Sequence, residues 1–419
     1  MPALPPPVDL DDLLGPFSLR EIELGLDRLR AALAAGGHPE RRFEAVQVAG
    51  TNGKGSISTF LHSILRAAGL RAAAYRSPHL VSWCERIQLD DAWIQPELLR
   101  ADLIRWRPLA QAHGLTPFEL LTAAAFERFA IEAPDLVVLE VGLGGRLDAT
   151  TVHPQRPVIG FGAIGLDHRE FLGDSVALIT AEKAAVLGPG AVAISAPQLP
   201  EAAAVLTAEA RRRGAELRWV EPLAPPASGG PALGLPGMLQ RANGAVAVAM
   251  ARALAERPGA TGERLALALA GGAAERGLAA ARWPGRLQRA RWRGLPLLLD
   301  GAHNPPAAAA LRVELEALDP RPRRWLVGIQ AHKQGPELLA LLLRPADRVL
   351  VCPVAGARSW SAEALAAALP PPLAAGLAAA ASAAEGLERL LAGSAPDQAL
   401  PVVCGSLHLL GEILPLLDG

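Results

Sequence analysis

The chain has 419 residues, 51% hydrophobic and 20% charged, with a formal net charge of −1; that length favours two domains over a single core. The balanced charge, with no basic run interleaved with aromatics, excludes a nucleic-acid surface, and no apolar run approaches the roughly 20 residues of a membrane helix. Cys84, Cys352 and Cys404 are odd in number and lack CxxC spacing, which argues against a disulfide framework or a zinc site.

The start, MPALPPPVDLDDLL, is proline-rich and acidic where an export signal is basic and then apolar. A soluble, cytoplasmic protein with reduced thiols is expected. Only three of its 41 basic residues are lysines, Lys54, Lys183 and Lys333. Arginine meets the other needs for positive charge, so these three are positions where a primary amine itself should matter.

Ala45–Ala49 reads as a short β-strand, and Ile57, Phe60, Leu61, Ile64 and Leu65 have helical spacing. Between them lies GTNGKGS, residues 50–56. Gly50, Gly53 and Gly55 let the backbone curl so that its N–H groups point at an anion beside the helix N-terminus, and Lys54 supplies a compact positive charge for terminal phosphates. The spacing departs from GxxxxGK[ST]: Val48 stands where the first glycine belongs, and Gly55 separates Lys54 from Ser56. A plain glycine-rich βα turn is the alternative.

Leu136–Val141 is a continuous apolar strand with Glu140 near its end, where open parallel sheets bind ligands. A carboxylate facing a phosphate loop suits Mg²⁺; a surface or capping glutamate is the other reading. GLGGR at 142–146 is not a dinucleotide fingerprint, because Leu147 stands where the last glycine is required. After the apolar run Val158–Ile164 comes GLDH with His168, then a helical stretch carrying Lys183 in AEKAAVL. Lysine on such a helix ordinarily snorkels to solvent. Pro222–Gly237 is a loop, followed by helices from near Gln240 to about Ala281. WPGR then breaks the pattern, and the domain boundary is expected at about Leu287, giving domains 1–287 and 288–419. Beyond it, Leu295–Leu299, Trp325–Ile329, Val349–Cys352 and Leu400–Cys404 read as strands alternating with helices, a Rossmann-like α/β unit. Ala362–Leu391 reads as solvent-facing helices interrupted at 370–372.

GTNGKGS, YRSPHLVSWCERI, TPFELLTAAAF, LEVGLGGRLDAT, IGLDHREFLG, AEKAAVL, LPGMLQRANGAVA, WPGRLQ, LLLDGAHNPPAAAAL and VCGSLHLLGE follow one another along nearly the whole chain. Their order resembles the folylpolyglutamate and dihydrofolate synthase branch of the Mur ligase superfamily. The resemblance implies an N-terminal P-loop ATPase domain of the Mur ligase type and a smaller C-terminal Rossmann-like domain.

It also implies site roles. Gly50, Thr51, Asn52, Gly53, Lys54, Gly55 and Ser56 match the nucleotide loop, and Asn243, Arg286 and Asp300 match further ATP contacts. Ser77 and Glu140 match ligands of one magnesium, and His168 with a carbamylated Lys183 those of a second. Phe118, Asp148 and Ala149 match the pterin side, with Thr151 where the family usually has asparagine. His303 matches a histidine near the reacting groups and Ser406 a position linked to the incoming amino acid. Without the resemblance, Phe118 reads equally as helix packing and Asp300 as a turn or cap. Leu239 replaces a common histidine, and Lys333 is unassigned.

The implied reaction is ATP-dependent amide formation. A carboxylate of dihydropteroate or a reduced folate is phosphorylated, and L-glutamate attacks the acyl phosphate, with Lys54, Lys183 and His303 as catalytic candidates. Closure of the domains would keep water from that intermediate. A monomer is expected. Two alternatives stand: a cell-wall Mur-type amino-acid ligase, and a P-loop ATP-binding module without ligase chemistry.

Overall fold

Ala45–Ala49 is apolar apart from Gln47 and forms β1, buried along its whole length near the middle of an eight-stranded sheet. The computed structural model describes residues 4–15, 23–392 and 399–418, so residues 1–3 of the proline-rich start lie outside the described residues. The chain divides into two compact units, Met1–Gly234 with Gln240–Arg282, and Leu235–Leu239 with Trp283–Gly419.

In the first unit β1 leads through the glycine loop into helix α1 (Lys54–Ala67). β2 (Ala72–Tyr75), β3 (Ile87–Leu89) and β4 (Ala92–Trp93) follow, then helices α2 (Pro96–His113) and α3 (Pro117–Glu132) and strand β5 (Leu136–Glu140). β6 (Val158–Phe161), helix α4 (Val176–Ala184), β7 (Val192–Ser195) and β8 (Glu216–Trp219) complete the sheet, whose order is β4-β3-β2-β5-β1-β6-β7-β8. β3 runs antiparallel to β2 and β4 to β3, and the remaining pairs are parallel.

β1 therefore sits between β5 and β6, with connections leaving to opposite sides, which makes the end of β1 a topological switch point. One face of β6 is filled by Ile159 and Phe161 against Ile179, Leu187 and Leu206; fully burying side chains of this size is worth about 1.5–3 kcal/mol each. Pro222–Gly237 is a loop apart from the single 3₁₀ turn Pro226–Ser228. Arg241 of helix α5 (Met238–Ala255) holds it by donating to the carbonyls of Ala224 (2.6 Å) and Pro231 (3.0 Å).

The second unit carries β9 (Gln288–Trp292), β10 (Leu295–Leu299), helix α6 (Pro305–Leu318), β11 (Arg324–Val327), β12 (Arg348–Val351), β13 (Leu377–Ala379), β14 (Val402–Cys404) and helix α7 (Leu407–Ile413). Its sheet order is β13-β12-β11-β14-β10-β9, parallel except for β9. The WPGR segment packs here: Gly301 N–H donates to the Gly285 carbonyl, and Leu287 N–H to Asp300.

The alanine-rich stretch departs from the all-helical expectation. Between helices Ala362–Ala368 and Ala383–Ala392 lies β13, an edge strand in register with β12. Leu365, Leu387 and Leu390 are fully buried, so these helices cover the sheet. Among the described residues no helix is long and apolar enough to cross a membrane.

Candidate active site

The first half of the glycine loop is tied to the segment leaving β6. The amides of Thr51 and Asn52 both donate to the Ala163 carbonyl (2.9 and 3.0 Å), and the Thr51 hydroxyl donates to the Gly165 carbonyl (3.0 Å). Those two amides are spent, which leaves the amides at the start of α1, from Lys54 to Ser56, for an anion. They have no intrahelical acceptor and lie at the positive end of the helix dipole. Gly53 is left-handed (φ 86°), and a Cβ on it would lie 2.4 Å from Asn243 Oδ1. Asn243 on α5 is thereby packed against the loop. The Ser56 hydroxyl, 1% exposed, has no hydrogen-bond partner among the described residues. Buried hydroxyls normally have one, so the loop fits phosphate oxygens and the hard cation that accompanies them.

Two lysines meet at one carbonyl. Lys54 Nζ donates to Gly50 O (3.1 Å) and Thr51 O (3.0 Å), and Lys183 Nζ, arriving from α4, donates to the same Gly50 O at 3.0 Å. Lys183 is 4% exposed, so it is not a solvent-facing lysine. Burial above all, and then the charge of Lys54, lower its pKa to about 7 against the opposing pull of Asp167 and Asp148.

Glu140 ends β5 opposite Val48 of β1 and is buried. Ser77 follows β2, whose Tyr75 pairs with Leu139, so both come off neighbouring strand ends at the edge that carries the glycine loop. Arg76, whose pKa burial lowers to about 10, and Arg86, also lowered by burial, feel the Glu140 carboxylate as a stabilising charge. The segment after Ser77 is held by Glu85, which accepts from the amides of Leu80 (3.0 Å), Val81 (2.6 Å) and Ser82 (2.7 Å). His168 is left-handed (φ 49°), with Nε2 3.8 Å from Asp167 and Nδ1 3.9 Å from Glu170. Among the described residues no three His, Cys, Asp or Glu side chains gather as a metal site. Mg²⁺ takes one or two carboxylates and completes its shell with phosphate and water, which suits Glu140 beside this loop.

The 142–152 loop is organised from inside. Asp148 Oδ2 accepts from the amides of Gly142 and Leu143 (both 2.9 Å), and Oδ1 accepts from Thr150 N (3.0 Å) and Oγ1 (2.5 Å). Desolvation nonetheless raises its pKa. Asp148 also caps the 3₁₀ turn Ala149–Val152. Phe118 lies against this loop, its Cζ 2.8 Å from where a Gly142 Cβ would stand. Thr151, in place of asparagine, donates to Gly145 O (2.8 Å) and accepts from Gln47 (3.0 Å).

In the second unit Asp300 ends β10 and accepts from Leu287 N (2.8 Å) and Ala302 N (2.9 Å). Burial raises its pKa, and Arg286 opposes the shift. Arg286 Nη1 lies over Gly301, 2.4 Å from where a Cβ would be. His303 Nδ1 bonds the Gly301 carbonyl (2.7 Å). Asp300 and His303 thus share one turn, with Arg286 laid over it. Ser406 caps α7 by accepting from His408 N (3.1 Å). Leu239 donates its N–H to Glu314 (2.8 Å), and the Lys333 carbonyl accepts from Trp360 Nε1 (2.9 Å).

Three residues escaped the sequence reading. Arg76 and Arg86 lie inside the YRSPHLVSWCERI stretch, and their adjacency to a buried glutamate emerges only when β2 and β5 pair. Gln47 did leave a signal, a lone amide inside the apolar strand AVQVA.

The family model for the dihydrofolate synthetase C-terminal domain matches residues 286–416. Dihydrofolate synthetase of Saccharomyces cerevisiae is 32% identical over 353 residues, 79% of this chain and 81% of the relative. The chain spans only 36% and 50% of the length of two Arabidopsis thaliana folylpolyglutamate synthases, which it matches at 38% and 35% identity. Among solved structures, E. coli FolC in complex with DHPP and ADP superposes with a TM-score of 0.81 at 29% identity, covering 97% of this chain and 95% of that one. The Yersinia pestis bifunctional folylpolyglutamate synthase/dihydrofolate synthase with AMPPNP and a Mn ion gives 0.80 at 28%, covering 96% and 95%.

Proposed function

Because the chain belongs to the folylpolyglutamate synthase/dihydrofolate synthase family, we propose that it is an ATP-dependent ligase that joins L-glutamate to dihydropteroate, to reduced folates, or to both. The observation that carries this reading is the convergence of Lys54 and the buried Lys183 on Gly50 O, at the switch point where β5 presents Glu140.

In this reading Lys54 neutralises charge on the γ-phosphate as it moves to the substrate carboxylate, and the amides at the start of α1 hold the phosphate oxygens in place. Phosphoryl transfer depends mainly on such positioning and charge stabilisation. Mg²⁺, when bound by Ser77 and Glu140, would offset the negative charge on the phosphates. Lys183 is assigned a carbamate: its neutral amine adds carbon dioxide and releases a proton, giving an anionic group that, with His168, would hold a second metal. A pKa near 7 supports this, since the neutral amine is well populated at physiological pH. Phe118, Asp148 and Ala149 are assigned to the pterin. Asn243, Arg286 and Asp300 are assigned to ATP, His303 to the reacting acyl group and Ser406 to glutamate. A monomer remains the expected assembly.

The test is phosphate release from ATP with each substrate omitted in turn. Turnover should require L-glutamate together with dihydropteroate or tetrahydrofolate. Release supported by a muramyl nucleotide, or release independent of any acceptor, would refute the assignment. Use of tetrahydrofolate alone would restrict the chain to polyglutamylation.

A further inference from the structure

Gln47 is fully buried in β1, three residues before Gly50, and its side chain leaves the sheet toward the 142–152 loop. Its Nε2 donates to Thr150 Oγ1 (2.8 Å) and Thr151 Oγ1 (3.0 Å), and its Oε1 accepts from Arg156 Nη1 (2.9 Å). Both threonine hydroxyls have already committed their protons, Thr150 to Asp148 (2.5 Å) and Thr151 to Gly145 O (2.8 Å). A hydroxyl has one proton and two lone pairs, so these two can only accept from whatever faces them. A carboxamide donates two protons and accepts at its oxygen, which matches all three partners.

We propose that Gln47 is a positioning residue that latches the 142–152 loop to the central strand and thereby sets affinity for the pterin-bearing substrate. Through Thr150 it fixes Asp148, which gathers the Gly142 and Leu143 amides, and through Thr151 it fixes Gly145. The next residue, Arg146, donates its amide to the Glu182 carbonyl (3.0 Å), beside Lys183. The main chain of Gln47 pairs with Leu139 and Ile159, so β1 and the glycine loop it feeds keep their support when the side chain changes. The proposal rests on reading residues 142–152 as the pterin-side loop.

The test compares Gln47→Leu and Gln47→Glu with the unaltered full-length protein. Gln47→Leu removes every bond. Gln47→Glu keeps the acceptor for Arg156 and replaces the donor with an oxygen that the threonines cannot serve. Both should raise KM for dihydropteroate (or for tetrahydrofolate, if that is the substrate used) by about tenfold while KM for ATP changes by less than about twofold.

Trypsin supplies a readout that needs no substrate. Cleavage after the exposed Arg146 should quicken by about fivefold or more, with cleavage after Arg212 on its own helix unchanged. If either variant fails to fold, Thr151→Val, on the half-buried loop side, should give the same split in KM and the same faster cleavage.

Wild-type behaviour of Gln47→Glu beside an impaired Gln47→Leu would overturn the proposal, because Gln47 would then serve Arg156. Equal rises in both KM values, or unchanged cleavage after Arg146, would overturn it as well. Should the unaltered protein show no folate-dependent turnover, the functional reading fails while the cleavage rates still decide the latch.

Discussion

Two lysine amino groups share the Gly50 carbonyl, and the protein treats them differently. Lys54 also bonds the Thr51 carbonyl and is partly exposed, whereas Lys183 is buried and, among the described residues, donates to the Gly50 carbonyl alone. Lys54→Ala should lower substrate-dependent ATP turnover by at least about a hundredfold without moving the unfolding midpoint, because it removes charge stabilisation at the phosphate and little packing. Lys54→Arg should rescue poorly in steady-state assays, since a planar fork is a poor substitute for a point charge. Lys183 has a folded pKa of about 7 against an ordinary 10.5. Across that interval the unfolded chain holds the proton and the folded chain does not, so this residue makes stability rise with pH. In buffer free of carbon dioxide, Lys183→Met should flatten the rise expected between pH 7.5 and 9 in urea midpoints (a window inside the roughly 7–10.5 interval), and it should also abolish turnover.

Helices α2 and α3 are joined by a buried ion pair: Arg128 Nε and Nη2 meet the two oxygens of Asp102 at 2.9 and 2.8 Å. Breaking such a pair on one side strands a charge in the core. Arg128 Nη1 also reaches Glu132 (3.3 Å), so Asp102→Ala should cost about 3 kcal/mol in urea unfolding, the low end for such a pair, while Asp102→Ala with Arg128→Met should recover a good part of it. At this scale the sequence was informative wherever pattern and packing agreed. Ala45–Ala49 and Leu295–Leu299 emerge with the bounds their apolar runs implied. β13 was illegible, because Leu377–Ala379 has little intrinsic strand preference and its conformation comes from pairing with β12. β9 was equally hidden: QRARW is polar and sits at the antiparallel edge of its sheet, half exposed.

Over the whole molecule, the first unit should be the acid-sensitive one. His62, bonded to the Ala72 carbonyl, and His153, bonded to the Phe43 carbonyl, are buried, and burial lowers their pKa values to about 3 and 4. Below the ordinary value of 6.5 the unfolded chain takes up protons that the folded chain refuses. Stability is therefore lost as pH falls from 6.5 toward 4, by up to about 1.4 kcal/mol per pH unit for each histidine. His153→Asn should reduce that slope in denaturant midpoints, whereas a slope unchanged in the variant would place the acid sensitivity elsewhere. The placing of the candidate site residues was readable in the sequence to a similar degree. Lysine scarcity singled out Lys54 and Lys183, and motif order grouped Arg286, Asp300 and His303. The inward use of the Asp148 carboxylate and the arginines beside Glu140 depend on contacts between distant strands, which spacing does not encode.

The scarcity of lysine also makes the chain a sorting device for electrophiles. Its three side-chain amines differ in access: Lys183 is buried and easily deprotonated, Lys54 is partly covered and held by two carbonyls, and Lys333 is half-exposed. Among the side-chain amines, a bulky amine-reactive ester should tag Lys333 almost alone, giving one defined lysine for a dye or a surface. Cyanate is small enough to follow a different rule, in which the population of neutral amine outweighs exposure, and among the lysines it should mark Lys183 first. Peptide mass mapping after each reagent would show the two patterns, and identical maps would mean that size does not govern entry.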